Sequence, residues 1–136
     1  MRILPAVGAA LILSVAACAT KPAAYRGAQS GTGTASAANG VQQITVTTGV
    51  DYRFHPATIV VHPGKVRIVL VNTTKPGAGA PHDWSLTGFP AAIVPLTQAG
   101  TRAAATFTAP APGRYQFVCT IHQKLGQTGT LVVEAR

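Results

Sequence analysis

The stretch that decides the fold reads GRYQFVCTIH and occupies residues 113–122. Its first part alternates in side-chain character and places Tyr115, Phe117 and Cys119 on one face, which is typical of a half-buried β-strand. His122 follows Cys119 after two further residues. Thiolate and imidazole are both ligands for transition metals. The stretch therefore predicts a core strand that delivers metal ligands to one end of the fold.

Strand patterns continue on both sides of this stretch and are separated by Pro and Gly turns. The further segments are Gln43–Thr47, Thr58–Val61, Val66–Val71, Asp83–Leu86, Ala104–Thr108 and Thr130–Glu134. We predict an all-β domain over residues 41–136, a two-sheet antiparallel Greek-key sandwich of seven or eight strands. The segment 91–100 lacks the alternation, and we expect it to hold a helical turn at most.

Composition excludes several kinds of chemistry. The 136 residues include eleven Lys and Arg but only three acids, Asp51, Asp83 and Glu134. Three scattered carboxylates could hardly form a glycosidase pair, a two-metal phosphoesterase site or an all-oxygen calcium site. Aromatic residues make up 6% of the chain, too few for a base-stacking platform, and the basic residues are dispersed. We therefore expect no nucleic-acid partner. The metal site described next has no evident open position for a substrate, so we also expect no enzymatic activity.

Four residues form the candidate metal site: His82, Cys119, His122 and Gln127. The last three fall in one connection between two predicted strands, and this connection is longer than a tight hairpin needs, which often indicates a functional loop. His82 would arrive from a neighbouring strand. Two imidazoles and one thiolate with a weak axial Met or Gln are the donor set of blue-copper electron-transfer sites.

The domain resembles the plastocyanin-like small cupredoxins, type 1 blue copper proteins, over essentially all of residues 41–136. The resemblance is carried by three segments in the family's order: FHPATIVV at 54–61, PHD at 81–83 and the G-x-Y-x-F-x-C-x-x-H motif at 113–122. At position 127 most members carry Met, whereas this chain has Gln, as in stellacyanin-type phytocyanins. The one methionine is Met1, so no other Met can take the axial position.

The resemblance implies one mononuclear copper ion, bound by the four residues named above and cycling between Cu(I) and Cu(II). It also implies that Asp83 bonds to the backbone or hydroxyl of Thr120 and so supports the cysteine loop. Residues 41–136 carry eight bases against three acids, which favours a redox partner with an acidic docking surface or an anionic membrane face over nucleic acid. We expect the domain to be a monomer.

Other interpretations of the same residues stay open. Cys119 could be a small buried hydrophobe, and Gln127 could face solvent and leave three ligands. Zinc is the rival metal, although Gln is a poor fourth ligand for it. A copper carrier or scavenger would use the same ligands, and a metal-free interaction module could keep the shape of the fold. His55 and His62 are expected at strand ends rather than in a second metal site.

The N-terminus predicts export. Residues 1–17 combine a positive start with a short apolar run, which suits a signal peptide better than a spanning helix. Small residues directly precede Cys18, as in the bacterial lipobox, so we expect a lipidated Cys18 that anchors the protein to a membrane of the cell envelope, in the periplasm or on the outside of the cell. Residues 18–40 are then a lipidated cysteine and a flexible tether. An ordinary cleaved signal is the alternative, and a disulfide from Cys18 to Cys119 is the least favoured one.

Overall fold

The structure is a computed structural model that describes residues 30–136. Within this range the chain forms ten strands, numbered in chain order, and one 3₁₀ turn, Gln123–Leu125. The strands are β1 Thr32–Thr34, β2 Ser36–Ala38, β3 Val41–Thr48, β4 Thr58–Val61, β5 Lys65–Asn72, β6 His82–Leu86, β7 Ile93–Thr97, β8 Arg102–Thr108, β9 Gly113–Val118 and β10 Thr128–Val133. No helix among these residues has the length and apolar character to cross a membrane.

The strands form two sheets, in the orders β1-β4-β10-β9-β6-β7 and β2-β3-β5-β8. The predicted all-β sandwich is confirmed. Its core consists of inward-facing side chains from the two sheets. Among them, Trp84 stacks on Phe107 and contacts Phe117. Alternating burial along β5 shows why the period-two pattern identified the strands.

The pairing differs from the expected antiparallel arrangement because both sheets are mixed. β3 pairs with β5 in parallel, and β4 pairs in parallel with both β10 and β1. The chain leaves the smaller sheet after β3, passes through β4 in the larger sheet and returns as β5. Since β5 then runs in the direction of β3, the two become parallel neighbours.

The expected tether over 18–40 is wrong for its last part. β1 pairs with β4 and β2 pairs with β3, so the chain from residue 32 to 38 joins both sheets. A Cβ on Gly33 would lie 2.8 Å from Pro56 Cγ, and glycine permits this close approach. These strands are held by backbone hydrogen bonds to their neighbours and carry small side chains. Their sequences therefore show no alternation of apolar and polar residues that would predict a strand. The predicted signal peptide and lipidated Cys18 lie outside the described residues.

The segment 91–100 holds strand β7 rather than the expected helical turn. Pro95 interrupts the apolar pattern of Ile93–Thr97, yet the segment pairs with β6 at the edge of the larger sheet. Proline is tolerated in edge strands because it has no N–H to give to a further neighbour. The edge position therefore explains both the strand and the failure to predict it.

Candidate metal centre

His82 is the first residue of β6. It follows the loop between β5 and β6, which is held in place by the side chain of Asn72, the last residue of β5. The buried amide of Asn72 donates hydrogen bonds to the carbonyls of Ala80 (2.9 Å) and Thr97 (3.1 Å). Its oxygen accepts a hydrogen bond from the backbone N–H of Thr74 at 3.1 Å. These bonds use both N–H groups and the oxygen of the amide and hold the approach to His82 in place.

Cys119, His122 and Gln127 lie in the single connection between β9 and β10. Cys119 directly follows β9, and Gln127 directly precedes β10. The backbone N–H of Cys119 donates to the carbonyl of Gln127 at 3.0 Å, so the two residues extend the pairing of the strands. Between them the 3₁₀ turn ends at Gly126, whose φ of 86° lies in the left-handed region that glycine adopts readily. The chain thus folds back over the end of the sheet and directs His122 towards Cys119.

The donor atoms of His82, Cys119 and His122 converge. The Sγ of Cys119 lies 3.4 Å from His122 Nδ1, which lies 3.2 Å from His82 Nδ1. All three donor atoms lie within 4.8 Å of one another. An ion bonded at 2.0–2.1 Å to nitrogen and 2.3 Å to sulfur separates its tetrahedral donors by about 3.3–3.6 Å. The observed separations are close to this range, and the donor set fits copper.

Gln127 is fully buried beside this cluster. Its Oε1 lies 3.0 Å from His82 Nδ1, and its Nε2 donates a hydrogen bond to Thr48 Oγ1 at 2.6 Å. Thr48 is itself buried at the end of β3. Because the amide nitrogen is held by Thr48, the amide oxygen is the atom that faces the two imidazoles. Gln127 therefore lies within reach of the cluster and does not face solvent.

Burial controls the protonation of the cluster. His82 and Cys119 are 1% and 0% exposed, whereas His122 is partly exposed. Burial, followed by the neighbouring His122, lowers the pKa of His82, and burial also lowers the pKa of His122. Burial raises the pKa of the Cys119 thiol to about 11. The imidazoles are therefore neutral near pH 7, as metal ligation requires, while the thiol must lose a proton to bind a metal.

The carboxylate of Asp83 contacts Thr120, directly after the candidate cysteine ligand. Asp83 is 5% exposed, its Oδ1 accepts the backbone N–H of Thr120 at 2.6 Å, and its Oδ2 accepts the Thr120 hydroxyl. This is the contact expected from the sequence. It ties the residue that follows Cys119 to the residue that follows His82, so the two ligand-bearing segments are joined to each other.

A family model for the cupredoxin-like domain matches residues 8–133, which is most of the chain. The chain belongs to the cupredoxin-like domain family. Among curated proteins no relative matches this cupredoxin.

Several solved structures share its fold. Auracyanin A from Chloroflexus aurantiacus, described as a "blue" copper protein, is 24% identical with a TM-score of 0.58, covering 70% of this chain and 100% of that one. Reduced auracyanin from Roseiflexus castenholzii is 20% identical, with a TM-score of 0.58 and coverages of 67% and 95%. The metal-binding domain of the Cu(I)-exporting P-type ATPase CopA of Streptococcus pneumoniae D39 is 21% identical, with a TM-score of 0.58 and coverages of 79% and 98%.

The other two histidines of this cupredoxin lie in separate local contacts. His55 Nε2 lies 2.6 Å from the carboxylate of Asp51, and His62 Nδ1 lies 3.2 Å from the backbone carbonyl of Glu134. His62 directly follows β4, at a strand end as expected, whereas His55 forms an isolated bridge with Thr47 and lies between β3 and β4. Among the described residues, the group of side chains that could hold a metal consists of His82, Cys119 and His122.

Sequence reasoning missed the contribution of the end of β3 and of the loop that follows it. Thr48 holds the amide of Gln127, and Tyr52 places its ring against both candidate histidine ligands. Neither residue type is distinctive for metal sites, and both are far from the ligands along the chain. One local signal was available. The run from Gly49 to Arg53 shows no alternation of apolar and polar residues, which indicates a loop that could contact the site.

Proposed function

We propose that this cupredoxin binds one copper ion and carries single electrons between redox partners in the cell envelope. The proposal rests on one observation, the convergence of the thiol of Cys119 with the imidazoles of His82 and His122. Gln127 is the proposed axial ligand, because its amide oxygen lies beside these groups. The auracyanin of the same fold is described as a blue copper protein, which supports this choice of metal.

Copper is favoured over zinc by the donor set. Structural zinc sites use four Cys, His or carboxylate ligands, and catalytic zinc sites keep three and a water. Here the fourth group is a neutral amide, and the site is closed by buried side chains. Thiolate and imidazole ligands suit copper, which also binds most tightly among the divalent metals of its series.

The residues of the chain hold the site rigid and dry. Bound copper supplies a one-electron couple between Cu(I) and Cu(II). The hydrogen bonds of Asn72, Asp83 and Thr48 fix the ligand segments independently of the ion, so the same positions serve both charge states. Burial of Cys119 and His82 keeps water away from these two ligands. These features suit an electron carrier rather than an enzyme.

His122 is the proposed point at which an electron enters or leaves. It is the least buried of the three strong ligands, and its neighbour Ile121 is 53% exposed. Lys75 and Lys124 are exposed in the segments on either side of the site. An exposed apolar residue beside His122, with lysines in the ligand-bearing segments, suits brief docking of a partner with acidic groups, since complementary charge speeds encounter and the small contact allows fast release.

We further propose that the protein is exported and anchored by a lipid on Cys18. The support is the sequence pattern before this cysteine, which lies outside the described residues. An anchored carrier would meet its partners in the plane of the membrane.

The test is the absorption spectrum and voltammetry of the copper-loaded domain. We expect the intense visible band of a thiolate-to-copper transition and a reversible one-electron wave. His122→Ala should abolish the band, whereas the matched variant His62→Ala should keep it, because His62 lies outside the cluster. A colourless copper-loaded wild type, or a band that survives His122→Ala, would reject the proposed site.

Copper delivery is the second candidate function, favoured by one comparison. The domain of similar fold from the Cu(I)-exporting ATPase is described as metal-binding and was solved with Cu(I). A delivery protein needs accessible groups that pass the ion on, yet His55 and His62 are engaged elsewhere and the described residues contain no Met. Mixing the loaded protein with a copper chelator would separate the two functions: slow release favours electron transfer, and rapid release favours delivery.

A further inference from the structure

The ring of Tyr52 packs against both histidines of the proposed copper site. Its centroid lies 4.7 Å from that of His122 with the planes at 82°, and 5.6 Å from that of His82 with the planes at 78°. The His82 and His122 rings lie 4.9 Å apart. Edge-to-face contacts of this kind are directional, so one tyrosine restrains the rotation of two imidazoles at the same time.

The backbone at Tyr52 is held in a conformation that this residue type rarely adopts. Its φ of 53° lies in the left-handed region, where a bulky side chain is disfavoured. The backbone N–H of Tyr52 donates to the Gly49 carbonyl at 3.1 Å, and the carboxylate of Asp51 accepts the N–H of Arg53 at 3.2 Å. Such conformations persist where surrounding contacts determine them, often beside functional groups. Here the conformation brings the aromatic ring over the histidines.

Contacts of its neighbours join the tyrosine loop to both ligand-bearing segments. Arg53 is 6% exposed, and its Nη1 donates to the carbonyls of Tyr52 (2.8 Å) and Leu125 (3.2 Å). Leu125 belongs to the β9–β10 connection. On the other side, the backbone carbonyl of Thr48, directly before this loop, accepts hydrogen bonds from the backbone N–H (2.8 Å) and the hydroxyl (3.0 Å) of Thr73, in the segment that leads to His82. The position of the Tyr52 ring is therefore fixed relative to the two imidazoles that it contacts.

We propose that Tyr52 is a positioning residue of the metal site, which holds the rings of His82 and His122 in the metal-binding orientation and covers them from water. The inference rests on the proposed copper site. It adds Tyr52, which lies outside the sequence motifs that contain the proposed ligands. His122 depends on it most, because it is partly exposed and its ring is the nearer of the two. Outer contacts of this type typically contribute about 10–100-fold to metal affinity.

The test compares Tyr52→Gly with Tyr52→Phe. Glycine accepts a positive φ without strain, so Tyr52→Gly removes the ring while keeping the backbone, and Tyr52→Phe keeps the ring. We expect Tyr52→Gly to weaken copper binding about 10–100-fold and to shift the reduction potential, and Tyr52→Phe to bind like wild type. In the metal-free protein, NMR signals of the His82 and His122 rings should broaden or average in Tyr52→Gly but not in Tyr52→Phe. Tyr52→Asn serves as a second ring-free variant, since Asn also tolerates a left-handed backbone.

Tyr115→Ala is the matched control. Its ring makes a similar edge-to-face contact with Phe89 at 5.4 Å, at the beginning of β9 and away from the ligands. This variant should lose stability without changing copper affinity or the histidine signals. Wild-type affinity and sharp histidine signals in Tyr52→Gly and Tyr52→Asn would overturn the inference. A wild type that binds no copper would reject the proposed function, and the ring signals of the metal-free protein would still decide the role of Tyr52.

Discussion

Replacing Gln127 by Met should destabilise the metal-free protein, because Gln127 forms a hydrogen bond with Thr48 at the end of β3 in the smaller sheet. Gln127 is 0% exposed and Thr48 is 1% exposed, and a hydrogen bond of 2.6 Å joins them. Methionine has no N–H to donate, so the Thr48 hydroxyl loses its donor in a place that water does not reach. Leaving a buried polar group unsatisfied costs about 1–3 kcal/mol, whereas removing both partners together can be nearly neutral.

The structure therefore predicts a strong coupling between the two positions. Thr48→Val alone leaves the Gln127 amide without its acceptor and should cost about 1–3 kcal/mol as well. Thr48→Val combined with Gln127→Met should cost less than the sum of the single variants, with a coupling of about 0.5–3 kcal/mol. The assay is urea unfolding of the four metal-free proteins under one buffer. Free energies of unfolding that add within about 0.3–0.5 kcal/mol would show independent sites and refute the argument that Thr48 orients the amide.

Four further outcomes follow from the site. Gln127→Met should raise the reduction potential measured by voltammetry, because a thioether stabilises Cu(II) less than an amide oxygen does; an unchanged potential would remove Gln127 from the ligand set. Cys119→Ser should abolish the visible band and weaken copper binding while circular dichroism stays that of the sandwich, and a variant of full colour would exclude the thiolate. Because burial raises the pKa of the Cys119 thiol to about 11, copper uptake should release one proton, and affinity should rise about tenfold per unit between pH 8 and 10; titration calorimetry showing no proton release would contradict this. Cys18→Ser should not be processed at that position and should lose its partition into detergent, whereas a freely soluble wild type in the exported fraction would exclude the anchor.

The sequence identified those parts of the molecule whose pattern is local. β5 alternates along its whole length, and Cys119 and His122 lie three residues apart, so both the strand and the ligand pair could be recognised from a short window. The Asp83 contact with Thr120 was expected from the resemblance, since it joins segments next to two ligands. Each of these correct predictions concerns residues that are close together along the chain or directly next to a ligand.

Elements that depend on distant partners escaped prediction. β1 and β2 consist of small residues and exist because β4 and β3 offer them backbone hydrogen bonds. Thr48 and Tyr52 act on Gln127 and His122 across gaps of many residues, and their own neighbours carry no pattern that would indicate this. Tertiary packing determines these contacts, so a sequence window can indicate a loop at Gly49–Arg53 but not the partners that the loop contacts.

The hydrogen bond from the backbone N–H of Cys119 to the carbonyl of Gln127 separates the ligand loop from the strand pairing beneath it. It closes the ladder of β9 and β10 below the loop, so residues 120–126 form a cap whose length is separate from the pairing beneath it. An insertion or deletion within the cap would re-aim His122 while the cysteine and the amide keep their mutual register. Surface loops accept such length changes more readily than strands do. The proposed centre is therefore divided into a base, set by the strand pairing, and a cap of adjustable length, so that redesign of the cap can alter the exposed ligand without rebuilding the sandwich.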